Sequence, residues 1–219
     1  MTERPILFSA PMVRAILAGQ KAQTRRVMTK QPHDDTTVHV ERFHQTVVDR
    51  HGDEQPGPET FGAWWDDGET GLKCPFGAPG NRLWVRESHW FFQDEHDPVT
   101  GYTPPVLTTE DVEYRADGES TRHGWRPSIH MPRWASRITL EITEVRVERL
   151  QAISEADAKA EGAPGYEEGV DPPPPEDGCK WSYRSSFMRL WESINGAESW
   201  AANPWVWVIT FKRLEANHA

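Results

Sequence analysis

The chain has only two cysteines, Cys74 and Cys179, too few for a disulfide framework or a structural zinc site. No apolar run approaches the ~20 residues that a membrane-crossing helix needs. The opening Met1-Thr2-Glu3-Arg4-Pro5 lacks the basic start and apolar stretch of a signal peptide. These absences predict a cytoplasmic protein with no metal, no cofactor and no membrane partner. Hydrophobic residues are also scarce, at 37% of 219 residues, against roughly 45–50% in ordinary globular chains. The length suits one large domain or two small ones, and with 18 prolines and 16 glycines a good part of the chain is expected to lie in loops around a compact core. Basic charge is short as well. The 24 Lys and Arg against 34 Asp and Glu leave a formal charge of −10, and a uniformly acidic surface repels polyanions.

Tryptophan, by contrast, is in excess, with eleven in the chain. Trp serves either as a core anchor with one donor or as a platform on which bases stack. The second role fits best where Trp lies among arginines. Charge is also unevenly placed. Residues 1–30 carry a net +5, and residues 121–140 carry four arginines and no acid. Subtracting both from −10 leaves −19 for the rest of the chain. Either the two basic segments meet in a focused positive cleft or their arginines pair with acids elsewhere. Much of the acid lies in three polar stretches rich in Pro, Gly, Asp and Glu: His33 to Thr70, Gln93 to Asp111, and about 163–180 around the acidic Gly165–Asp177 segment. Such composition predicts surface loops without a packed core, with polyproline II over Pro172–Pro175.

Between these stretches the pattern predicts five or six short strands and two or three helices, an α+β chain built around a small β-barrel. Pro5–Phe8 reads as a strand. Ser9 is placed to cap a helix with Pro11 in its first turn, Met12, Ile16 and Leu17 as its apolar stripe, and Gly19 as its left-handed stop. Leu83–Glu87 and Val112–Ala116 read as strands. Arg137–Val147 alternates with a phase slip near Thr143 that predicts a bulge. Ser154 caps a helix through Ala160 with Asp157 at its third position. Phe187, Leu190, Trp191 and Ile194 give Ser185–Ile194 an amphipathic face. Trp205–Phe211 is apolar in both phases, the pattern of a strand buried on both sides.

Three places could carry chemistry. In Gly19-Gln20-Lys21-Ala22-Gln23-Thr24-Arg25-Arg26, Lys21 and Thr24 would point apart on a regular strand but can converge in an irregular surface turn. Crowding by Arg25 and Arg26 would lower the Lys21 pKa and suit it to activate a hydroxyl. The same segment also reads as a solvated basic turn. Glu161-Gly162 puts an acid at a helix C-terminus, where the macrodipole disfavours it. Trp125 to Arg137 interleaves Arg126, Arg133 and Trp134 with His130 and two prolines, which suits phosphate contact and base stacking. His130 is an acid–base candidate or a structural histidine. Cys74 reads as a packed thiol.

Taken together, Gly19-Gln20-Lys21 with Thr24 and Arg26, Pro79-Gly80-Asn81-Arg82-Leu83-Trp84-Val85-Arg86-Glu87, Glu161-Gly162 and the closing Trp205–Phe211 resemble an ASCH domain. Arg126 to Arg137 brings the resemblance closest to the long ASCH proteins of bacteriophages and prophages. The resemblance implies a single domain over 1–219, a PUA-like β-barrel in a bacterial host cell, with a cleft for a modified nucleoside, RNA or single-stranded DNA. Small bacterial relatives are amidohydrolases that deacetylate N4-acetylcytidine with a Lys, a Thr and a Glu. Lys21, Thr24 and Glu161 match those three positions. Lys21 would deprotonate Thr24 or a water, Thr24 would attack the amide carbonyl, and Glu161 would protonate the departing amine. Arg25, Arg26, Trp84, Arg86, Glu87, Arg126, His130, Arg133 and Trp134 would bind substrate or nucleic acid. Other ASCH proteins are linked to RNA binding or cleavage, so the alternative expectation is a non-catalytic RNA- or single-stranded-DNA-binding module or a ribonuclease.

Overall fold

The computed structural model describes residues 2–68, 70–91, 107–118, 124–163 and 182–215. The fold is α+β. Ten strands and three α-helices occur among the described residues: β1 (Glu3–Leu7), α1 (Ala10–Leu17), β2 (Gln23–Val27), β3 (His39–Val48), β4 (Glu54–Trp65), β5 (Thr70–Lys73), β6 (Arg82–Arg86), β7 (His89–Phe91), β8 (Val112–Tyr114), β9 (Thr139–Arg149), α2 (Glu155–Ala160), α3 (Tyr183–Asn195) and β10 (Trp205–Leu214).

The central sheet has the order β1-β6-β9-β10-β2, with β1 parallel to β6 and every other pairing antiparallel. The two apolar phases of β10 feed two different cores, which is why the strand carries no polar face. Trp207, Ile209 and Phe211 enter the main core with Leu83, Val85, Leu140 and Ile142, beneath Val13 and Ile16 of α1. Val206 and Val208 face the other way, onto Phe187 and Trp191 of α3 and Ala158 of α2. The phase slip in β9 is a bulge. Ile142 pairs with Phe211 and Glu144 with Thr210, leaving Thr143 as the extra residue. Both short helices start at their predicted N-cap positions, although the Ser9 side chain makes no capping bond to α1. Ser154 accepts the Asp157 N–H, and Gly19 at φ +72° ends the α1 turn. α3 begins earlier than its apolar pattern, because Ser182 and Ser185 form a reciprocal cap at its start.

The 33–70 stretch is not a loop. It folds as the β3–β4 hairpin, which pairs on to β5 in a separate three-stranded antiparallel sheet. Its base is held by Ala63 and Trp65 in the main core, with Val38, Val40, Phe61 and Leu72 packed around them. Its outer half is exposed on both faces, and Asp49 Oδ1 ties the tip by accepting the His51 and Asp53 N–H groups. A hairpin wet on both faces has no period-2 apolar pattern to read, so composition alone misassigned it. β7 and β8 form a third small sheet over Phe91, Met131 and Ala135. Of the Gln93–Asp111 stretch only 107–111 is described, and it forms a capped 3₁₀ turn over Thr109–Asp111. The Gly165–Asp177 segment, with its prolines, and Cys179 lie outside the described residues. Among the described residues no helix is long and apolar enough to cross a membrane.

Candidate functional site

Lys21 is not in a surface turn. The chain after Gly19 is drawn into the protein by two backbone bonds, Ala22 N–H to Ala160 O and Phe211 N–H to Ala22 O, both 2.8 Å. Lys21 forms an isolated bridge with Glu161, the C-cap of α2. Gly162 makes this closeness possible. It sits at φ +75°, and a Cβ there would lie 3.0 Å from Lys21 Cβ and 3.1 Å from Ala15 Cβ. Lys21 is consequently 3% exposed. Its ammonium donates to Gln23 O (2.8 Å), Glu161 O (2.7 Å) and Glu161 Oε2 (2.8 Å), which uses all three of its donors. Burial pushes Lys21 below the ordinary lysine range, opposed by Glu161, and the like charges of Arg26 and Arg25 add least. The direction matches the reading from charge crowding, but desolvation is the larger cause.

The Glu161 carboxylate is held from both sides, with Oε1 accepting from Arg25 Nη1 at 3.2 Å. Arg25 also reaches Glu148 at 2.5 Å and Asp157 at 3.7 Å, and Arg146 joins the same two acids at 3.1 and 2.9 Å. Arg146 also reaches Glu144 at 3.6 Å, so in this network three cations (Lys21, Arg25, Arg146) face four carboxylates (Glu161, Glu148, Asp157 and the more exposed Glu144). Gln23 pins it by accepting from Arg25 at 2.6 Å and donating to Asp157 at 3.1 Å.

Beside this network lies a cleft of about 550 Å³ lined by Thr24, Arg25, Arg26 and Glu161, by Ser9 and Met12 at the start of α1, and by Leu190, Trp191 and Ile194 of α3. Such a volume falls within the roughly 300–1,000 Å³ of small-molecule sites. Glu161 and Thr24 line it, while Lys21 stands behind Glu161 and makes no hydrogen bond to Thr24. The structure therefore brings Thr24, Arg25, Arg26 and Glu161 together, with Lys21 as the inner partner of Glu161.

The remaining residues expected to bind substrate do not line this cleft. Glu87 is 1% exposed and gives both carboxylate oxygens to Arg137, at 3.0 and 3.2 Å. Burial raises its pKa while Arg137 pulls it down. Trp84 is flanked by Arg86 at 5.3 Å and Arg133 at 5.9 Å, and Arg86 also donates to Ile129 O. Arg126 stacks on Phe91 at 4.3 Å, and Trp134 packs edge-on against the same ring at 4.9 Å. His130 is exposed. These groups form an aromatic–arginine surface around β6 and the 126–134 loop, from which only Ser128 reaches the cleft. Several basic residues do pair with acids, as the less specific reading of the charge pattern expected: Arg25 as above, Arg133 with Glu3 at 3.0 Å, and Arg137 with Glu87 and Asp117.

The sequence reading missed the α3 wall. Phe187 and Trp191 are buried, but Ile194 is 55% exposed. An apolar stripe wider than the core beneath it needs was the available signal. Among the described residues no group of His, Cys, Asp and Glu could hold a metal ion. No family model, curated protein or solved structure matches the chain.

Proposed function

We propose that the chain is an ASCH-type amidohydrolase that removes the acyl group from an N4-acylated cytosine nucleoside bound in the cleft beside Glu161. The observation that carries this reading is the shared wall formed by Thr24 and Glu161, backed by the buried Lys21–Glu161 pair. A PUA-like barrel goes with it. In its support, Arg26 on the edge strand β2 reaches across to the opposite edge strand β1, where Nη2 donates to Leu7 O at 2.6 Å.

In this mechanism Thr24 Oγ1 attacks the acyl carbonyl carbon, and its proton passes to the Lys21–Glu161 pair. A desolvated lysine 2.8 Å from a carboxylate suits that transfer, because burial lowers the lysine pKa and so eases a proton's passage between the two groups. The C–N bond breaks as Glu161, the member of the pair that lines the cleft, delivers the proton to the N4 amine. Water then hydrolyses the acyl-threonine ester, returning a proton to Thr24 and releasing the carboxylic acid. The apolar α3 face receives the acyl group. The test is incubation with N4-acetylcytidine followed by chromatography for cytidine. Release by the wild type and its loss in Thr24→Val support the reading, and absence of release from a folded wild type sinks it.

A second reading, a non-catalytic RNA- or single-stranded-DNA-binding module, draws on the surface where half-buried Trp84 and Arg86 lie with exposed Arg133 and Trp134. It expects association in a low-salt filter-binding titration that weakens with added salt. It also expects loss of affinity in Trp134→Ala.

A further inference from the structure

Arg26 differs from every other arginine around the cleft. Among the described residues its guanidinium makes one hydrogen bond, from Nη2 to Leu7 O, and it lies 5.4 Å from the centre of the Phe8 ring. Its Nε, like that of Arg25, has neither a partner among the described residues nor access to water. The carboxylate whose charge acts on it, Glu161, is already held by Lys21 at 2.8 Å and Arg25 at 3.2 Å. An arginine does not shed its proton in a protein, so this half-buried cation stands with no ion-pair partner among the described residues. Burial acts on it strongly enough to pull its pKa below the ordinary value, with Glu161 only partly compensating. Around it the same cleft offers hydroxyl donors. Ser9 makes no capping bond to α1, and Ser128 arrives from the second basic segment. α1 carries no acid in its first turn, so the local field there stays positive.

From this unpaired charge we infer that the cleft contains an anion subsite, in which Arg26, Ser9 and Ser128 take a phosphate carried by the substrate's sugar. The inference rests on the cytosine-nucleoside reading of the cleft, and it narrows the substrate class from a free nucleoside to a nucleotide. A planar guanidinium with free N–H groups matches phosphate oxygens, and the contact is charge-assisted. The phosphate can belong to a mononucleotide or to the backbone of a short strand. Both supply the same group to Arg26.

The experiment is calorimetric binding to the full chain at low salt, which needs no turnover. Cytidine 5′-monophosphate should bind at least about tenfold more tightly than cytidine. Arg26→Gln should abolish that difference, and Arg26→Lys should restore part of it because the charge is kept. Equal affinity of the wild type for the two ligands overturns the inference. A cytidine-containing trinucleotide separates the sources. Binding tighter than the mononucleotide assigns the site to a strand, and weaker binding assigns it to a free nucleotide. If neither cytidine nor its monophosphate binds, the cytosine reading fails and inorganic phosphate becomes the probe. A rise in melting temperature with phosphate over chloride at equal ionic strength, present in the wild type and absent in Arg26→Gln, keeps the anion subsite. No rise removes it. Hydrolysis of N4-acetylcytidine is scored separately, so its failure alongside intact nucleotide binding counts against the amidohydrolase reading alone.

Discussion

Replacing Lys21 with alanine removes the innermost cation from a network of three cations and four carboxylates. Glu161 keeps its 3.2 Å contact with Arg25 but loses the 2.8 Å contact with Lys21, at a position where the Lys21 side chain is 0% and the Glu161 side chain 4% accessible. Breaking a buried pair by deleting one partner costs about 3–5 kcal/mol. The surviving Arg25 contact places this case at the lower end, about 3 kcal/mol. For a chain of this size each kcal/mol lowers Tm by about 2–4 °C, so Lys21→Ala should melt about 6–12 °C below the wild type. Thermal unfolding followed by circular dichroism measures this directly. Lys21→Met, which retains the apolar stem, should recover part of the loss. Combined with Glu161→Gln it should cost less than the two single changes added, because the charges leave together. A Lys21→Ala protein melting within about 2 °C of the wild type would refute the burial argument. Activity is assayed below the mutant's Tm. There a rate loss of about 10²–10⁴ is the expected size for removing a positioned base.

Three more outcomes are expected. His89 is fully buried with Nε2 unpartnered, and burial lowers its pKa below 6.5, opposed by the Glu87 carbonyl and reinforced by Arg126 and Arg86. The unfolded chain therefore binds the extra proton first, so the contribution of His89 is present above about pH 6.5 and is lost as pH falls through the folded value. Denaturant titrations at pH 7.5 and 5.5 should show that loss, and His89→Gln should shrink it. Ile194 lines the cleft at 55% exposure, so Ile194→Asp should leave Tm nearly unchanged while raising KM for an acylated nucleoside. A KM equal to the wild type's would remove α3 from the site. Replacing residues 46–56 of the β3–β4 hairpin with a short Asn-Gly turn should leave Tm within a few degrees, because that part buries no core residue. Global unfolding of the shortened chain would show that the outer hairpin holds the fold.

The local elements were legible because each has a signal within a few residues. Ser9, Pro11 and Gly19 bound α1, and Ser154 with Asp157 starts α2. The Thr143 bulge follows from a slip in alternation, and the two-sided burial of β10 follows from its two apolar phases. Lys21, Thr24 and Glu161 were also selected from sequence. That Lys21 and Glu161 touch, however, depends on residues 140 positions apart meeting across the α2 terminus. Charge balance belongs to the tertiary structure in the same way. Arg25 and Arg26 are neighbours of the same type, and the strand turns one into a network with Glu161, Glu148 and Asp157 while leaving the other without a carboxylate. A side chain's protonation and pairing depend on the water it loses and the charges it meets, and both are properties of packing. The hairpin escaped the sequence reading for the opposite reason. Its outer half meets only water and its own partner strand, so nothing imposes an apolar period on it.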